Sequence, residues 1–405
     1  MHPLTGLLVT ALLLVACDAR EEPRTPAPPA PASTAQAPQE DEAETIARLS
    51  HLGYGEFDPG ADPSLSGVVR HDRARAHPGY NLYGSGTHEV YVVDMEGSRV
   101  HTLSLAPERQ RTTFAELLAD GTLAVVCNYQ LLTRLDWDSR VVWESPVRAH
   151  HDIAERADGV LYVPYRKPET YRGRTVRFDG LALLAPDGKP LSGWYSFEHL
   201  EELARHHPPS PLDVPAPADE PKPERPPDYH HLNTVELLPE TELGRRDRRF
   251  RAGNVLVCFR NLSVILVLDQ DDWSVQWSWG QGELEGPHMP TMLPDGRILV
   301  YDNGVVRKWT RVLELDPESG TIVWRYEGTP RESFFSELRG SAQRLANGNT
   351  LICEADRGHV LEVTRAGEIV WEFWNPEVTE EGRRPIYRCM RYPAERIEPL
   401  LARAR

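Results

Sequence analysis

The amino-acid sequence predicts an all-β fold, namely a six-bladed β-propeller with four strands in each blade. The prediction rests on a recurring hairpin turn, a recurring strand that contains tryptophan, and the spacing of these repeats. Asp-Gly and Asn-Gly between two apolar runs are strong hairpin signals, because the central positions of such turns need a positive φ. These dipeptides recur at Asp120-Gly121, Asp158-Gly159, Asp295-Gly296 and Asn347-Gly348.

A similar strand ends each repeat, and the tryptophan in it is expected to pack between adjacent units. The four copies are Val141–Glu144, Val275–Ser278, Ile322–Arg325 and Ile369–Glu372. Repeats of roughly 40–55 residues with about four strands each are typical of propeller blades. The predicted blades are 80–106, 111–149, 150–197, 229–282, 287–329 and 338–376, and the stretch 385–396 is expected to return and close the ring.

The remaining segments divide the chain into further regions. Residues 1–16 predict a signal peptide, and Leu14-Val15-Ala16-Cys17 resembles a bacterial lipobox in which Cys17 is lipidated. Residues 17–45 are rich in Pro and Ala and predict a disordered tether, followed by a lead-in at 46–79. The propeller then spans 80–396 before a tail at 397–405, and the chain is expected to be lipid-anchored, facing the periplasm or the cell surface.

Composition and hydropathy limit the partners that this chain is expected to bind. With 45 Lys and Arg against 61 Asp and Glu, the net charge is −16, which argues against a nucleic-acid partner. The membrane is expected to be contacted through the N-terminal anchor alone, since no apolar run reaches the length of a spanning helix. The Pro-rich insertion at 198–228 predicts a flexible loop that serves as a lid or a partner site. Cys127, Cys258 and Cys353 lie in apolar runs and are expected to be buried.

Histidines occur at matched positions in several repeats. Counting back seven residues from the turn residue reaches the start of the same strand in successive blades, and equivalent positions converge on the axis of a propeller. The positions found in this way are His151, Asn233 (preceded by His230 and His231), His288, and Gly340 beside Arg339. Imidazoles and guanidiniums in one funnel favour an anionic substrate such as a sulfate or phosphate ester. Three histidines can also bind zinc, although no H-E-x-x-H motif is present.

Several of these segments resemble the bacterial arylsulfotransferase family. The resemblance covers most of residues 80–395 and is carried by 230–239, 254–261, 286–296, 299–304 and 340–352. It implies a six-bladed propeller that moves a sulfuryl group from a phenolic sulfate ester to a phenol. It also implies ping-pong chemistry through a sulfated histidine, without a nucleotide sulfate donor or any other cofactor.

The resemblance carries residue roles with it. His231 and His288 match histidines of the family, Arg307 matches its sulfate-binding arginine, and Arg260 lies in its Arg-Asn segment. The family's sulfate-accepting histidine falls in the region 333–340, where this chain has Arg339 as the nearest cation. The nucleophile is therefore expected to be His288 or His231.

The remaining expected roles concern substrate binding. Arg307 and Arg339 are expected to hold the sulfate oxygens, and His151 and Arg260 to line the same funnel. Asn233 is expected to orient an imidazole or an oxygen, and the aromatic rings of Tyr229 and Trp309 to line the wall. Two alternatives stay open: a binding propeller without chemistry, and a metal-dependent hydrolase that uses the same histidines. The sequence sets no oligomeric state.

Overall fold

The computed structural model describes residues 57–403, apart from 85, 106–111, 128–130 and 218–224. Six antiparallel sheets form the blades, and each blade has four strands. This arrangement confirms the predicted all-β propeller. The predicted signal peptide, Cys17, the tether and the first part of the lead-in lie outside the described residues. None of the described helices is both long enough and apolar enough to cross a membrane.

The strands are numbered in chain order. They are β1 Gly67–His71, β2 Tyr80–Gly84, β3 Glu89–Val93, β4 Arg99–Ser104, β5 Thr112–Leu117, β6 Leu123–Cys127, β7 Leu131–Leu135, β8 Val141–Ser145, β9 Ala154–Glu155, β10 Leu161–Tyr171, β11 Arg174–Leu184, β12 Pro190–Tyr195, β13 Leu232–Leu237, β14 Val255–Phe259, β15 Val264–Leu268, β16 Val275–Trp279, β17 His288–Met292, β18 Ile298–Asp302, β19 Arg311–Asp316, β20 Thr321–Glu327, β21 Ser341–Arg344, β22 Thr350–Glu354, β23 His359–Val363, β24 Ile369–Trp374, β25 Val378–Thr379, β26 Gly382–Arg383 and β27 Cys389–Tyr392.

Helices are few and short among the described residues. The α-helices are α1 Leu200–Leu203, α2 Glu242–Arg246 and α3 Ala394–Arg403, and the 3₁₀ turns are Ser196–His199, Pro211–Asp213, Arg248–Phe250, Arg260–Leu262, Arg331–Ser333 and Ala355–Arg357.

Each blade starts with its innermost strand. Blade one has the order β27-β2-β3-β4, blade two β5 to β8, blade three β9 to β12, blade four β13 to β16, blade five β17 to β20 and blade six β21 to β24. The C-terminal strand β27 pairs with β2, with Tyr83 opposite Cys389, so the predicted ring closure is confirmed. Three strands were not predicted. β1 of the lead-in pairs with β24 and adds a fifth strand to the outer edge of blade six, and β25 pairs with β26 ahead of the closing strand.

The hairpin turns differ from the prediction in one respect. Their glycines have φ between 81° and 88° at Gly121, Gly159, Gly296 and Gly348, but the preceding Asp or Asn does not have a positive φ. At the first of these turns the backbone N–H of Leu118 donates to Thr122 and that of Gly121 to Leu118. The loop is therefore one residue longer than a two-residue hairpin, and only its glycine needs the left-handed conformation.

The repeated tryptophans join neighbouring blades, as predicted. Each indole N–H donates to a backbone carbonyl in the outer hairpin of the next blade, at 2.8–3.1 Å. The pairs are Trp143 with Pro186, Trp277 with Pro317, Trp324 with Arg365 and Trp371 with Met95. Trp277 and Trp371 are buried, and a buried indole needs a partner for its N–H.

A buried ion pair locks the closing strand against blade six. Arg391 of β27 pairs with Glu362 of β23, and both side chains are at most 1% exposed. The same guanidinium donates to the side-chain oxygen of Asn81 and to the carbonyl of His77, each at 2.8 Å. The arginine thus ties the last strand of the ring to blade six, to blade one and to the lead-in at once.

The described part of the insertion at 198–228 is packed rather than an open, flexible loop. Leu203 and Leu212 are buried against the core shared by blades three and four. Asp213 accepts hydrogen bonds from the hydroxyls of Tyr171 and Tyr229, at 2.9 and 2.6 Å. Proline-rich composition predicts mobility, but two buried leucines and this carboxylate hold the segment against blade three.

Candidate active site

Three histidines stand at the start of the inner strands of blades three, four and five. His151 precedes β9, His231 precedes β13 and His288 opens β17, and each side chain is at most 4% exposed. The rings of His151 and His231 meet edge to face with centroids 4.5 Å apart. Both residues have a left-handed backbone, with φ of 64° and 55°, which is uncommon for histidine and marks a specialised turn. The structure therefore brings the matched histidines together at the axis.

Hydrogen bonds assign the protonated nitrogen of His288. Its Nδ1 lies 2.8 Å from the side-chain oxygen of Asn303 and 3.2 Å from the carbonyl of Gly286. The Asn303 amide nitrogen donates to the carbonyls of Ser336 and Arg339, so its oxygen is the atom that faces the imidazole. Two acceptors at Nδ1 mean that this nitrogen carries the proton.

The other ring nitrogen of His288 has a different environment. Nε2 is buried and has no hydrogen-bond partner among the described residues. Burial, and secondarily the charge of Arg260, lowers the pKa of His288 to about 3. The ring is therefore neutral at physiological pH and holds a lone pair on Nε2, which is the form of imidazole that acts as a nucleophile.

His231 is held by a carboxylate. Its Nδ1 lies 2.8 Å from Asp228, whose carboxylate is also 3.4 Å from Arg166 and 3.6 Å from Arg177. Burial, followed by the charges of Arg260 and Arg166, holds the pKa of His231 well below its usual range. Asp228 therefore orients the ring while two arginines share its negative charge.

Arg260 is the cation at the centre of the histidine cluster. The side chain is 1% exposed, and its Nε and Nη2 both donate to the side-chain oxygen of Asn261, at 3.1 and 3.0 Å. Its charge contributes to the lowered pKa of His151, His231 and His288. An arginine beside three neutral imidazoles makes a local positive field that favours an anion.

Two arginines that the sequence predicts in the site form ion pairs with neighbouring carboxylates. The guanidinium of Arg307 lies 3.0 Å from Asp302 and donates to the carbonyl of Trp309, whose ring it also covers at 4.8 Å. Arg339 lies 3.5 Å from Asp356, and its backbone carbonyl helps to orient Asn303.

Two further predicted residues contact neighbouring parts of the propeller through a hydrogen bond or through ring stacking. The amide of Asn233 donates to the carbonyl of Pro287 at 2.8 Å, a contact between blades four and five. Tyr229 stacks on Phe178 with ring centroids 5.0 Å apart, and its hydroxyl is used by Asp213.

The sequence prediction missed several charged residues of the site. Arg388 donates to Asp152 at 2.7 Å, and the other oxygen of Asp152 accepts the backbone N–H of Val235 at 2.9 Å. Arg388 precedes β27 by one residue, as His231 precedes β13, so applying the same positional argument to the closing strand finds it. The remaining missed residues are Arg166, Arg177, Asp179 and Asp228, and no repeat signal marks them.

A cavity of about 390 Å³ lies along the inner strands next to the Asp152–Arg388 pair. Its wall includes Glu116 of β5 and Glu236 of β13. Burial raises the pKa of Glu116 to about 7 and that of Glu236 to about 8. Within the described ranges, no group of three or more His, Cys, Asp or Glu side chains is arranged to hold a metal ion.

The buried histidines also predict how stability depends on pH. Burial lowers the pKa of His230 to about 3, whereas an unfolded histidine titrates near 6.5. Below pH 6.5 the unfolded state therefore binds a proton that the folded state does not bind. The free energy of unfolding consequently falls as the pH falls.

We expect this residue alone to contribute a loss of about 2 kcal/mol between pH 7.5 and pH 5. Guanidinium unfolding of the wild type and His230→Asn at both pH values measures it, since Asn keeps a polar atom facing Ser196. Equal losses in the two proteins would contradict the expectation.

Comparison with known proteins gives one family and several distant structures. A family model described as "Arylsulfotransferase (ASST)" matches residues 115–376, which is more than half of the chain. No curated protein matches. A Bacteroides caccae protein of unknown function has a TM-score of 0.51 at 14% identity, covering 77% of this chain and 98% of that one. AztD from Citrobacter koseri has a TM-score of 0.42 at 9% identity, covering 77% of this chain and 98% of that one. The likeness to the Bacteroides protein is one of fold.

Proposed function

The chain belongs to the arylsulfotransferase family, and we propose that it transfers a sulfuryl group from a phenolic sulfate ester to a phenol, with His288 as the nucleophile. The observation that carries the proposal is the state of this imidazole. Its proton is held on Nδ1 by two acceptors, and its Nε2 is buried without a partner among the described residues. Neighbouring cations supply the field that a sulfate ester needs.

In the first half-reaction the lone pair of His288 Nε2 attacks sulfur. An N–S bond forms while the S–O bond to the phenol breaks, and the phenoxide leaves with the electron pair. Arg260 is placed to counter the negative charge on the equatorial oxygens. Preorganised charge of this kind is usually the largest catalytic contribution. Because Arg260 is held by Asn261 before substrate arrives, it needs no rearrangement.

In the second half-reaction the oxygen of an acceptor phenol attacks the sulfuryl group. The N–S bond breaks, its electron pair returns to Nε2, and the acceptor's hydroxyl proton passes to a neighbouring imidazole, His151 or His231. The phenoxide that departs in the first half-reaction takes up one proton in exchange. No proton is gained or lost over the full cycle.

Steady-state kinetics tests this proposal. With p-nitrophenyl sulfate as donor and phenol as acceptor, we expect release of p-nitrophenolate to rise with phenol and phenyl sulfate to accumulate in equal amount. Double-reciprocal plots should give parallel lines, because the enzyme is sulfated between the two substrates. His71→Gln, on β1 at the outer edge of blade six, serves as a control that keeps full activity.

A folded protein that releases p-nitrophenolate without making phenyl sulfate would be a sulfatase, and the proposal would be wrong. A folded protein that binds aryl sulfates but releases nothing would instead be the binding propeller.

A further inference from the structure

Three buried polar groups, Asp179, His150 and His151, form a chain that ends at the histidine cluster. Asp179 lies on β11 of blade three and is 0% exposed, as is His151, and His150 is 1% exposed. His150 Nε2 lies 3.1 Å from Asp179 Oδ1. On the other side of the same ring, His150 Nδ1 lies 2.8 Å from His151 Nδ1.

Asp179 and His150 face each other in the interior of blade three. The distance of this contact is that of a hydrogen bond, but its angle is not, so both Asp179 oxygens and His150 Nε2 are without a properly aligned partner among the described residues. A buried carboxylate and a buried imidazole nitrogen that have no other partner will satisfy each other, because leaving both unpaired is unfavourable by several kcal/mol. Asp179 and His150 therefore form one pair.

The charge environment distinguishes Asp179 from Asp228. Asp228 faces two arginines, at 3.4 and 3.6 Å, as well as His231. Arg166 lies opposite Asp179 in the strand register, but its guanidinium is the one that contacts Asp228. In the described part of the chain, no arginine or lysine forms an ion pair with Asp179. The surroundings of Asp179 are therefore less cationic than those of Asp228.

We propose that Asp179, His150 and His151 form a relay that stores one proton between the two half-reactions. The inference rests on the proposed sulfuryl transfer and assigns its proton to His151 rather than His231. In the loaded state the carboxylic acid of Asp179 donates a hydrogen bond to His150 Nε2. His150 carries its own proton on Nδ1 and donates it to His151 Nδ1. His151 carries its proton on Nε2. Every group is then neutral, which suits a buried site.

When the relay releases its stored proton, one proton is passed on at each contact between its three groups. His151 Nε2 gives its proton to the leaving phenoxide, His151 Nδ1 takes the proton of His150 Nδ1, and His150 Nε2 takes the proton of Asp179. Asp179 becomes a carboxylate, and His151 Nε2 holds a lone pair. In the second half-reaction the acceptor phenol gives its proton to His151 Nε2 and every transfer runs in reverse, so the loaded state is restored.

The test compares two donors in Asp179→Asn, which cannot release a proton to His150. Phenyl sulfate loses a phenoxide whose conjugate acid has a pKa of about 10, like tyrosine, and this leaving group needs the stored proton. p-Nitrophenyl sulfate loses a far weaker base and does not. We expect the first half-reaction of the variant to slow by about 10²-fold with phenyl sulfate and to be nearly unchanged with p-nitrophenyl sulfate.

Asp187→Asn, in the exposed β11–β12 turn of the same blade, is the matched control and should change neither rate. Equal slowing of both donors in Asp179→Asn would mean a structural role, and no slowing of either would mean that no relay operates. If Asp179→Asn does not fold, His150→Gln replaces it, because glutamine keeps an N–H donor but cannot pass a proton.

Histidine-selective ¹⁵N NMR of the wild type separates this inference from the proposed function. The relay requires the protonated nitrogens to be correlated: Nδ1 of His150 with Nε2 of His151, or Nε2 of His150 with Nδ1 of His151. If the wild type transfers sulfuryl groups from neither ester, the proposed function fails, while correlated tautomers that change in Asp179→Asn still support the relay. Both rings protonated at Nε2 would overturn it.

Discussion

His288→Asn is expected to abolish sulfuryl transfer. Asparagine keeps an N–H near the position of Nδ1, so the contact with Asn303 survives, but it has no atom that replaces Nε2. Removing a covalent nucleophile lowers the rate by factors on the order of 10⁴ or more. The pre-steady-state burst of p-nitrophenolate measures the loss directly, and it should be absent from the variant.

Intact-mass spectrometry provides the second readout for the same variant. Wild type quenched after mixing with p-nitrophenyl sulfate should gain one SO₃ group, and His288→Asn should gain none. His71→Gln controls for the loss of a histidine as such. If the variant still shows the burst and the added mass, the sulfated residue is another one, and the same experiment on His231→Asn becomes decisive.

Arg391→Met is expected to cause the largest loss of stability. The substitution leaves Glu362 buried and unpaired at the junction of blade six and the closing strand. Breaking a buried ion pair by removing one partner typically costs about 3–5 kcal/mol. Guanidinium unfolding followed by tryptophan fluorescence measures the change in the free energy of unfolding.

Two comparisons show whether the loss comes from the unpaired charge. Arg246→Met removes an exposed ion pair with Glu318 and should cost no more than about 1 kcal/mol. Adding Glu362→Gln to Arg391→Met removes the stranded carboxylate and should recover part of the stability. If the double variant is less stable than Arg391→Met alone, the arginine stabilises the ring through its contacts with Asn81 and His77 rather than through its charge.

The fold was predictable from the sequence because a propeller repeats its local signals. The Asp-Gly turns, the tryptophan strands and the return of the closing strand each depend on a few adjacent residues. The same reasoning located His151, His231 and His288, since their positions follow from the strand that each one precedes. β1 escaped prediction because its sequence, Gly67 to His71, carries neither the turn nor the tryptophan signal.

The partners of the site were much harder to predict. Arg166 lies on β10 and Asp179 on β11. These strands are 11 residues long each and belong to one blade alone, so no repeat points to them. Arg307 was expected to bind sulfate from its place in a motif, but Asp302 and Glu285 lie at 3.0 and 3.7 Å from its guanidinium. Such competition between charges depends on tertiary packing, which a single sequence does not display.

The closing strand also sets the order in which this protein can be made. β27 pairs Cys389 with Tyr83, so the contact joins residues 389 − 83 = 306 positions apart. A nascent chain therefore carries blade one as an open three-stranded sheet until nearly all of the other blades have been synthesised. Loop closure over such a distance makes this pairing a late event, and an exposed sheet edge is prone to aggregation meanwhile. Because Arg388 immediately precedes the same strand, the axial site is completed only when the ring closes.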